Sequence, residues 1–252
     1  MESTAVHPDV LAPPTAGLQQ RVVAFVSDLR RGGGRPAHQH DRAQLLAVTS
    51  GSIAVTAEGY TFVAPPERAV WVPARTVHET RHLASTRLRT VYVRAEACAL
   101  LPRHATVVQV SPLLRELLNA VVARPRAYDE QSADGRVMDV LLDQIAASRE
   151  LPLNLPIPSS PALRTLAMRI IERPAEPLSL VHLAQSSGLS ARTLERQFKG
   201  ETGLSLRSFR RQAKLLKALE LLSARTPVSR ISDALGFGEP SAFIAMFKAA
   251  YG

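Results

Sequence analysis

His38 and His40 stand two residues apart at the head of the stretch HQHDRAQLLAVTS, Gln44 follows four residues after His40, and a further histidine stands at His78. Neutral imidazole nitrogens are ligands for zinc, nickel, copper and iron. On a strand, residues two apart point to the same side. That rule puts His38, His40, Gln44 and Leu46 on one face, with Gln39, Asp41 and Ala43 on the other. If this face lines a β-barrel, His78 from a later strand completes a set of three imidazoles and one amide oxygen. Three uses are open: a site for a divalent transition metal, a pocket for an organic effector, or a purely structural polar cluster. Gln44 is neutral, which lowers the net ligand charge and weakens both metal affinity and the case for turnover. His7, His82, His104 and His182 show no comparable spacing and read as incidental.

These residues need elements to hold them. A chain of 252 residues with 46% hydrophobic content can build one large domain or two modest ones. Its single cysteine, Cys98, excludes a disulfide framework and a cysteine-based zinc site. No apolar run approaches 18 residues, and the opening MESTAVHPDVLAPP has no basic region followed by an apolar one. The expectation is a cytoplasmic protein without membrane contact. Residues 1–19 read as a flexible N-terminus. From 20 to 98, runs such as QLLAVTS, SIAVTAEG, YTFVAPP, AVWVPA and LRTVYVRA suggest an antiparallel sandwich or barrel.

The pattern changes after residue 98, and 99–150 reads as a helical segment. In SPLLRELLNAVVAR, Ser111 is a candidate N-cap and Pro112 suits the first helical position. Leu113, Leu114, Leu117, Leu118, Val121 and Val122 recur at helical spacing, and a second helix is expected from Arg136 through VMDVLLDQIAAS. Such stripes serve internal packing or pair two copies as a homodimer. LPLNLPIPSSP then holds four prolines in eleven residues. It predicts an extended linker over 151–158 and a domain boundary. Residues 159–252 read as almost wholly helical.

Charge separates the two parts. From Ser160 onward there are 14 Lys and Arg against 7 Asp and Glu, while the preceding residues hold 17 against 15. A basic C-terminal part points to a polyanion. That part also repeats itself: LAQSSGLSARTLERQFKGETG (183–203) matches ISDALGFGEPSAFIAMFKAAYG (231–252), with Phe198-Lys199 and Phe247-Lys248 in register. Each copy has a small residue (Ala184, Ser232), a glycine four later (Gly188, Gly236), then an apolar residue (Leu189, Phe237). Two steeply crossing helices need a small residue at the contact and a glycine able to turn left-handed. Ser190 or Ser241 could cap the second helix of each pair. This is the grammar of a helix-turn-helix, whose second helix suits the major groove of double-stranded DNA.

In the first copy Leu194 and Phe198 form a buried side, leaving Arg192, Thr193, Glu195, Arg196 and Lys199 outward. Arg suits guanine edges, Glu a cytosine amino group, and Lys199 a phosphate. In the second copy Ser241, Ala242, Ile244 and Ala245 offer few hydrogen bonds, so shape and methyl contacts are expected there, with Lys248 at the edge. The helix between the copies, about 19 residues and hence about 28 Å long, compares with about 34 Å between successive major-groove faces.

From about Ser159 to Gly252 the chain resembles the DNA-binding domain of AraC/XylS-type bacterial transcription regulators, on LAQSSGLSARTLERQFKGETGLS, the long basic helix and VSRISDALGFGEPSAF followed by FK. The resemblance implies two helix-turn-helix units in adjacent major grooves. It implies base-facing roles for Arg192, Glu195 and Arg196, and for Ser241, Ala242 and Ala245. Ala245 departs from the polar residue common there, and the sequence stops at Gly252, short of the family's usual tail. The N-terminal part is similar to the cupin-type sensor domains of a subset of these regulators. The matching residues are His38, His40, Gln44, Gly51 and PPERAVWVPARTVH with Trp71 and His78. Catalytic cupins usually carry a carboxylate where Gln44 stands.

The expectation is therefore a two-domain α+β regulator, with a cupin-like antiparallel barrel sensing a small effector or metal and a helical DNA-binding domain. It is not an enzyme. The competing reading is a cupin-type metal-dependent enzyme carrying a basic helical domain.

Overall fold

The computed structural model describes residues 15, 17–177, 184 and 190–251. The expectations for residues 1–14, and for most of the first helix of the first helix-turn-helix with its Gly188, lie outside the described residues. So do His7 and His182.

The N-terminal part is built from β1 (Val22–Leu29), β2 (Gly34–His38), β3 (Arg42–Ser50), β4 (Ile53–Ala57), β5 (Tyr60–Ala64), β6 (Arg68–Val72), β7 (His78–His82), β8 (Thr86–Arg94), β9 (Thr106–Gln109), β10 (Glu150–Leu151) and β11 (Asn154–Pro156). These make two antiparallel sheets, one in the order β1-β8-β3-β6-β9-β10 and the other β11-β5-β4-β7-β2. Among the described residues no hydrogen-bonded ladder joins the sheets, so the expected barrel is not closed; it is a sandwich. The expected strand region also ends too early at 98, because β9 pairs with β6 and β10 with β9.

Alternation along β3 explains the layering. Leu46 and Val48 face the core between the sheets, while Ala43, Leu45 and Ala47 face outward. That outer face is covered by α1 (Pro112–Val122) and α2 (Ala133–Ala146) through Leu114, Leu118, Val121, Met138, Leu141 and Ile145. Ser111 Oγ accepts from the Leu114 N–H at 3.1 Å, as an N-cap does, and Pro112 opens α1. The second helix starts at Ala133, three residues ahead of the expected Arg136, because Ser132 supplies the cap.

The proline-rich linker is extended, but it is not a free spacer. Asn154–Pro156 pairs with β5, and Leu153, Leu155 and Ile157 are buried. The C-terminal helices follow: α3 (Pro161–Glu172), α4 (Ala191–Thr202), α5 (Leu206–Ser223), α6 (Val228–Ala234) and α7 (Pro240–Tyr251). Ser190 Oγ accepts from the Thr193 N–H, and α4 ends on Gly203 at φ 73°. Phe198 of α4 meets Phe209 of α5 edge to face, with centroids 5.1 Å apart and both side chains fully buried. Ala184 and Ser232, the small residues expected at the helix crossings, are buried, and Gly236 turns at φ 68° between α6 and α7. Ser241 does not cap: α7 already begins at Pro240, so Ser241 lies within its first turn.

One apolar cluster runs from Leu46 and Val55 through Leu155 to Leu163, Ile170, Phe198 and Phe209. A separate small one holds the second unit, from Ala218, Ile231, Leu235 and Phe243. Polar contacts add to the first seam. Ser52 Oγ, fully buried, donates to Glu220 Oε2 of α5 at 2.6 Å. Gln212 Nε2 donates to the Asn154 carbonyl at 2.9 Å, and Arg81 pairs with Glu172 at 2.9 Å.

Candidate functional site

The structure brings His38, His40, Gln44 and His78 together, though not as one strand face. His38 ends β2 in the five-stranded sheet, His40 lies in the crossing to the other sheet, and Gln44 lies on β3. His78 is on β7, directly opposite His38. The ring centroids are 4.3 Å apart for His38–His78, 5.1 Å for His40–His78 and 5.9 Å for His38–His40. One ring nitrogen from each lies within 4.8 Å of the others. Gln44 and His78 are buried and His38 is half-buried.

Hydrogen bonds decide which nitrogen faces inward. Nδ1 of His38 lies 2.8 Å from the Pro36 carbonyl, Nδ1 of His40 lies 2.5 Å from that of Arg42, and Nδ1 of His78 lies 2.9 Å from that of Thr76. Only a protonated nitrogen can donate to a carbonyl. Each neutral ring therefore carries its proton on Nδ1 and presents Nε2 as a lone pair. Gln44 Oε1 lies 3.3 Å from Nε2 of His40 and 3.2 Å from Nε2 of His78, while its Nε2 donates to the Tyr92 hydroxyl at 3.0 Å. Lone pairs from imidazole and amide thus converge on one point.

Such a point suits a cation, and the ring protons are disfavoured. Burial lowers the His78 pKa to about 4, against the raising effect of the Thr76 carbonyl; the nearby His38, His40 and Arg35 charges depress it further. Burial also lowers His40, opposed by the Arg42 carbonyl and by Gln44 Oε1, which would accept from a protonated ring, and helped by His38 and Arg35. Both rings are neutral, and so able to ligate, near pH 7.

The residues expected to face DNA are presented by the two second helices. On α4, Leu194 and Phe198 are buried, while Arg192, Glu195, Arg196 and Lys199 are exposed. Thr193 is half-buried and its hydroxyl meets Ser190 Oγ at 2.8 Å, so it belongs to the helix cap. On α7, Phe243 is buried and Ser241, Ala242, Ala245 and Lys248 are exposed. Between the units lies a cleft of about 670 Å³ lined by Glu195, Arg207, Arg211, Lys214, Phe237 and Met246, among others. Arg207, Arg211 and Lys214 recur at helical spacing on α5, a signal present in the sequence but unused. Tyr92 and Arg35 were also missed, because their importance depends on partners across the fold.

Residues 27–150 match the AraC-like ligand binding domain, and residues 183–252 match the Helix-turn-helix domain. Together with the geometry of α4 to α7, these matches define a DNA-binding regulator with a ligand-binding domain. The chain belongs to the AraC family of helix-turn-helix transcription regulators. It is 32% identical over 217 residues to the HTH-type transcriptional regulator NimR of Escherichia coli (strain K12), covering 86% of this chain and 79% of NimR. A shorter likeness, 31% identical, links it to the HTH-type transcriptional regulator RipA of Corynebacterium diphtheriae over 36% of this chain and 28% of RipA. Unsaturated-fatty-acid-bound ToxT from Vibrio cholerae strain SCE256 aligns over 90% of this chain and 91% of ToxT at 10% identity, with a TM-score of 0.40. The family and these relatives are regulators, not enzymes, so the cupin-type enzyme reading is set aside. No helix among the described residues is long and apolar enough to cross a membrane.

Proposed function

We propose that this regulator, in the bacterial cytoplasm, senses a divalent transition metal, or a small effector bound at the same place, through His38, His40, Gln44 and His78. Occupancy changes how its two helix-turn-helix units sit on double-stranded DNA. The observation that carries the reading is the convergence of three Nε2 lone pairs and Gln44 Oε1, each ring locked by a carbonyl behind it. A metal placed there would take the inward nitrogens as ligands while the outer hydrogen bonds hold the rings.

Arg192, Glu195 and Arg196 read base edges in the first groove, with Thr193 holding the start of their helix. Lys199 and Lys248 meet phosphates, and Ser241, Ala242 and Ala245 contribute shape and methyl contacts in the second groove. Two copies pair through the exposed Leu113 of α1 and Val140 of α2.

Metal analysis of the purified full chain tests the sensor. About one ion per chain is expected, lost in the His38→Ala/His78→Ala variant. Fluorescence anisotropy on the chain's own upstream DNA, with and without that ion, tests the coupling. Binding without sequence preference or salt sensitivity would sink the regulator reading.

A further inference from the structure

We propose that the sensor site takes its metal together with the carboxylate of a small organic acid, and that Arg35 pairs with that carboxylate. The inference rests on the metal reading above. No donor in the site carries a negative charge: the ligands are three imidazoles and one amide. A divalent ion held there keeps its whole charge in a largely buried place, and an unpaired buried charge is costly. The surroundings add to that charge. The Arg35 guanidinium is a permanent cation that acts on both His40 and His78.

The described residues offer no acid to balance these charges. Asp41 is highly exposed and faces Arg75 at 3.4 Å. Glu79 follows His78 directly on β7, so strand alternation turns it to the opposite face. The counter-charge must come from a ligand.

Arg35 is placed to receive it. It lies on β2 opposite Thr80 of β7, on the same strand pair that sets His38 against His78. Its backbone N–H donates to Thr80 Oγ1 at 3.0 Å. Its charge acts on His40, His78 and also Tyr92, the partner of Gln44, so it addresses the whole cluster. Among the described residues no carboxylate pairs with its guanidinium, whereas Arg21, Arg81 and Arg124 each have one. A guanidinium fork matches a carboxylate in two-point geometry. One carboxylate oxygen would face the ion and the group would remain within reach of the fork.

The test loads the full chain with Co(II) and follows its visible absorption during titration with acetate, using acetamide as the neutral probe of equal size. Wild type and Arg35→Gln are both expected to bind Co(II), the variant at least as tightly because a nearby cation is gone. Acetate should alter the wild-type spectrum with half-saturation at least tenfold lower than in Arg35→Gln, and acetamide should do nothing. Bound Co(II) with no acetate response, equal responses in both proteins, or an equal effect of acetamide overturns the inference and leaves the metal site standing. An Arg35→Gln protein that no longer binds Co(II) also overturns it, because Arg35 then supports the ligands themselves. No Co(II) binding in wild type removes the metal reading and this inference with it.

Discussion

A neutral imidazole has one proton, and the group that holds it decides what the other nitrogen offers. In this cluster three backbone carbonyls make that decision, and Gln44 meets the result with an amide that can turn over. As placed, its oxygen joins the lone pairs; turned, its NH2 would donate to both rings while its oxygen accepted from Tyr92. The amide is thus fully bonded with or without an ion. Gln44→Glu should remove the turned state, since a carboxylate ligates but does not donate. Its affinity for zinc, read by competition with a chromophoric chelator, should rise about tenfold or more, roughly 1.4 kcal/mol. At the other end, Arg192→Ala or Arg196→Ala should cost about 1–3 kcal/mol at particular base pairs. Lys199→Ala should instead weaken every sequence alike and reduce the salt slope of binding by about 1. Binding titrations on operator variants at several salt concentrations separate the two cases.

Among elements, the rod α5 and the turn between β3 and β4 carry the most consequence. Gly51 holds that turn at φ 78°, and an added Cβ would sit 2.2 Å from the Ser85 carbonyl. The turn delivers Ser52 to Glu220, whose other oxygen meets Lys217 Nζ at 2.5 Å. Ser52→Ala leaves a buried carboxylate without one of its donors and should lower stability by about 1–3 kcal/mol in urea titration. Gly51→Ala should do at least as much harm, through backbone strain. Much of this level was legible in advance. The cap at Ser111, the buried side at Leu194 and Phe198, and the left-handed Gly236 follow from local rules that residue type reveals. The shared face of Gln44 and Leu46 was legible too. What period could not reveal is that the chain crosses from one sheet to the other between His38 and Arg42. His40 therefore reaches the cluster from a connection, not from a strand. Strands β9, β10 and β11 are two to four residues long and take their conformation from partners far along the chain, so no local pattern announces them.

At the scale of the whole molecule, the two parts share a core where an extended linker and a domain boundary were expected. Apolar interfaces of this kind restrict domain motion. The second helix-turn-helix rests on the small cluster around Ile231, Leu235 and Phe243. Hydrogen exchange should find α6 and α7 opening at lower free energy than α4 and the sandwich, which should protect together. The rod makes a demand on DNA as well. At 18 residues, α5 spans about 27 Å, so the two units should tolerate no half-turn change in spacing. Inserting about 5 bp between the two subsites should reduce affinity to that of one unit, and about 10 bp should not restore it. The unbroken core also bears on how such regulators exchange parts. A sensor cut away at the proline-rich segment would strip Leu155 and Ile157 of their neighbours and leave Leu163, Leu166 and Ile170 bare on the other fragment. Hybrids joined at that seam should aggregate, whereas those that keep the sandwich through α5 intact and replace only α6 and α7 cut across a far smaller surface. The second reading head is the interchangeable piece.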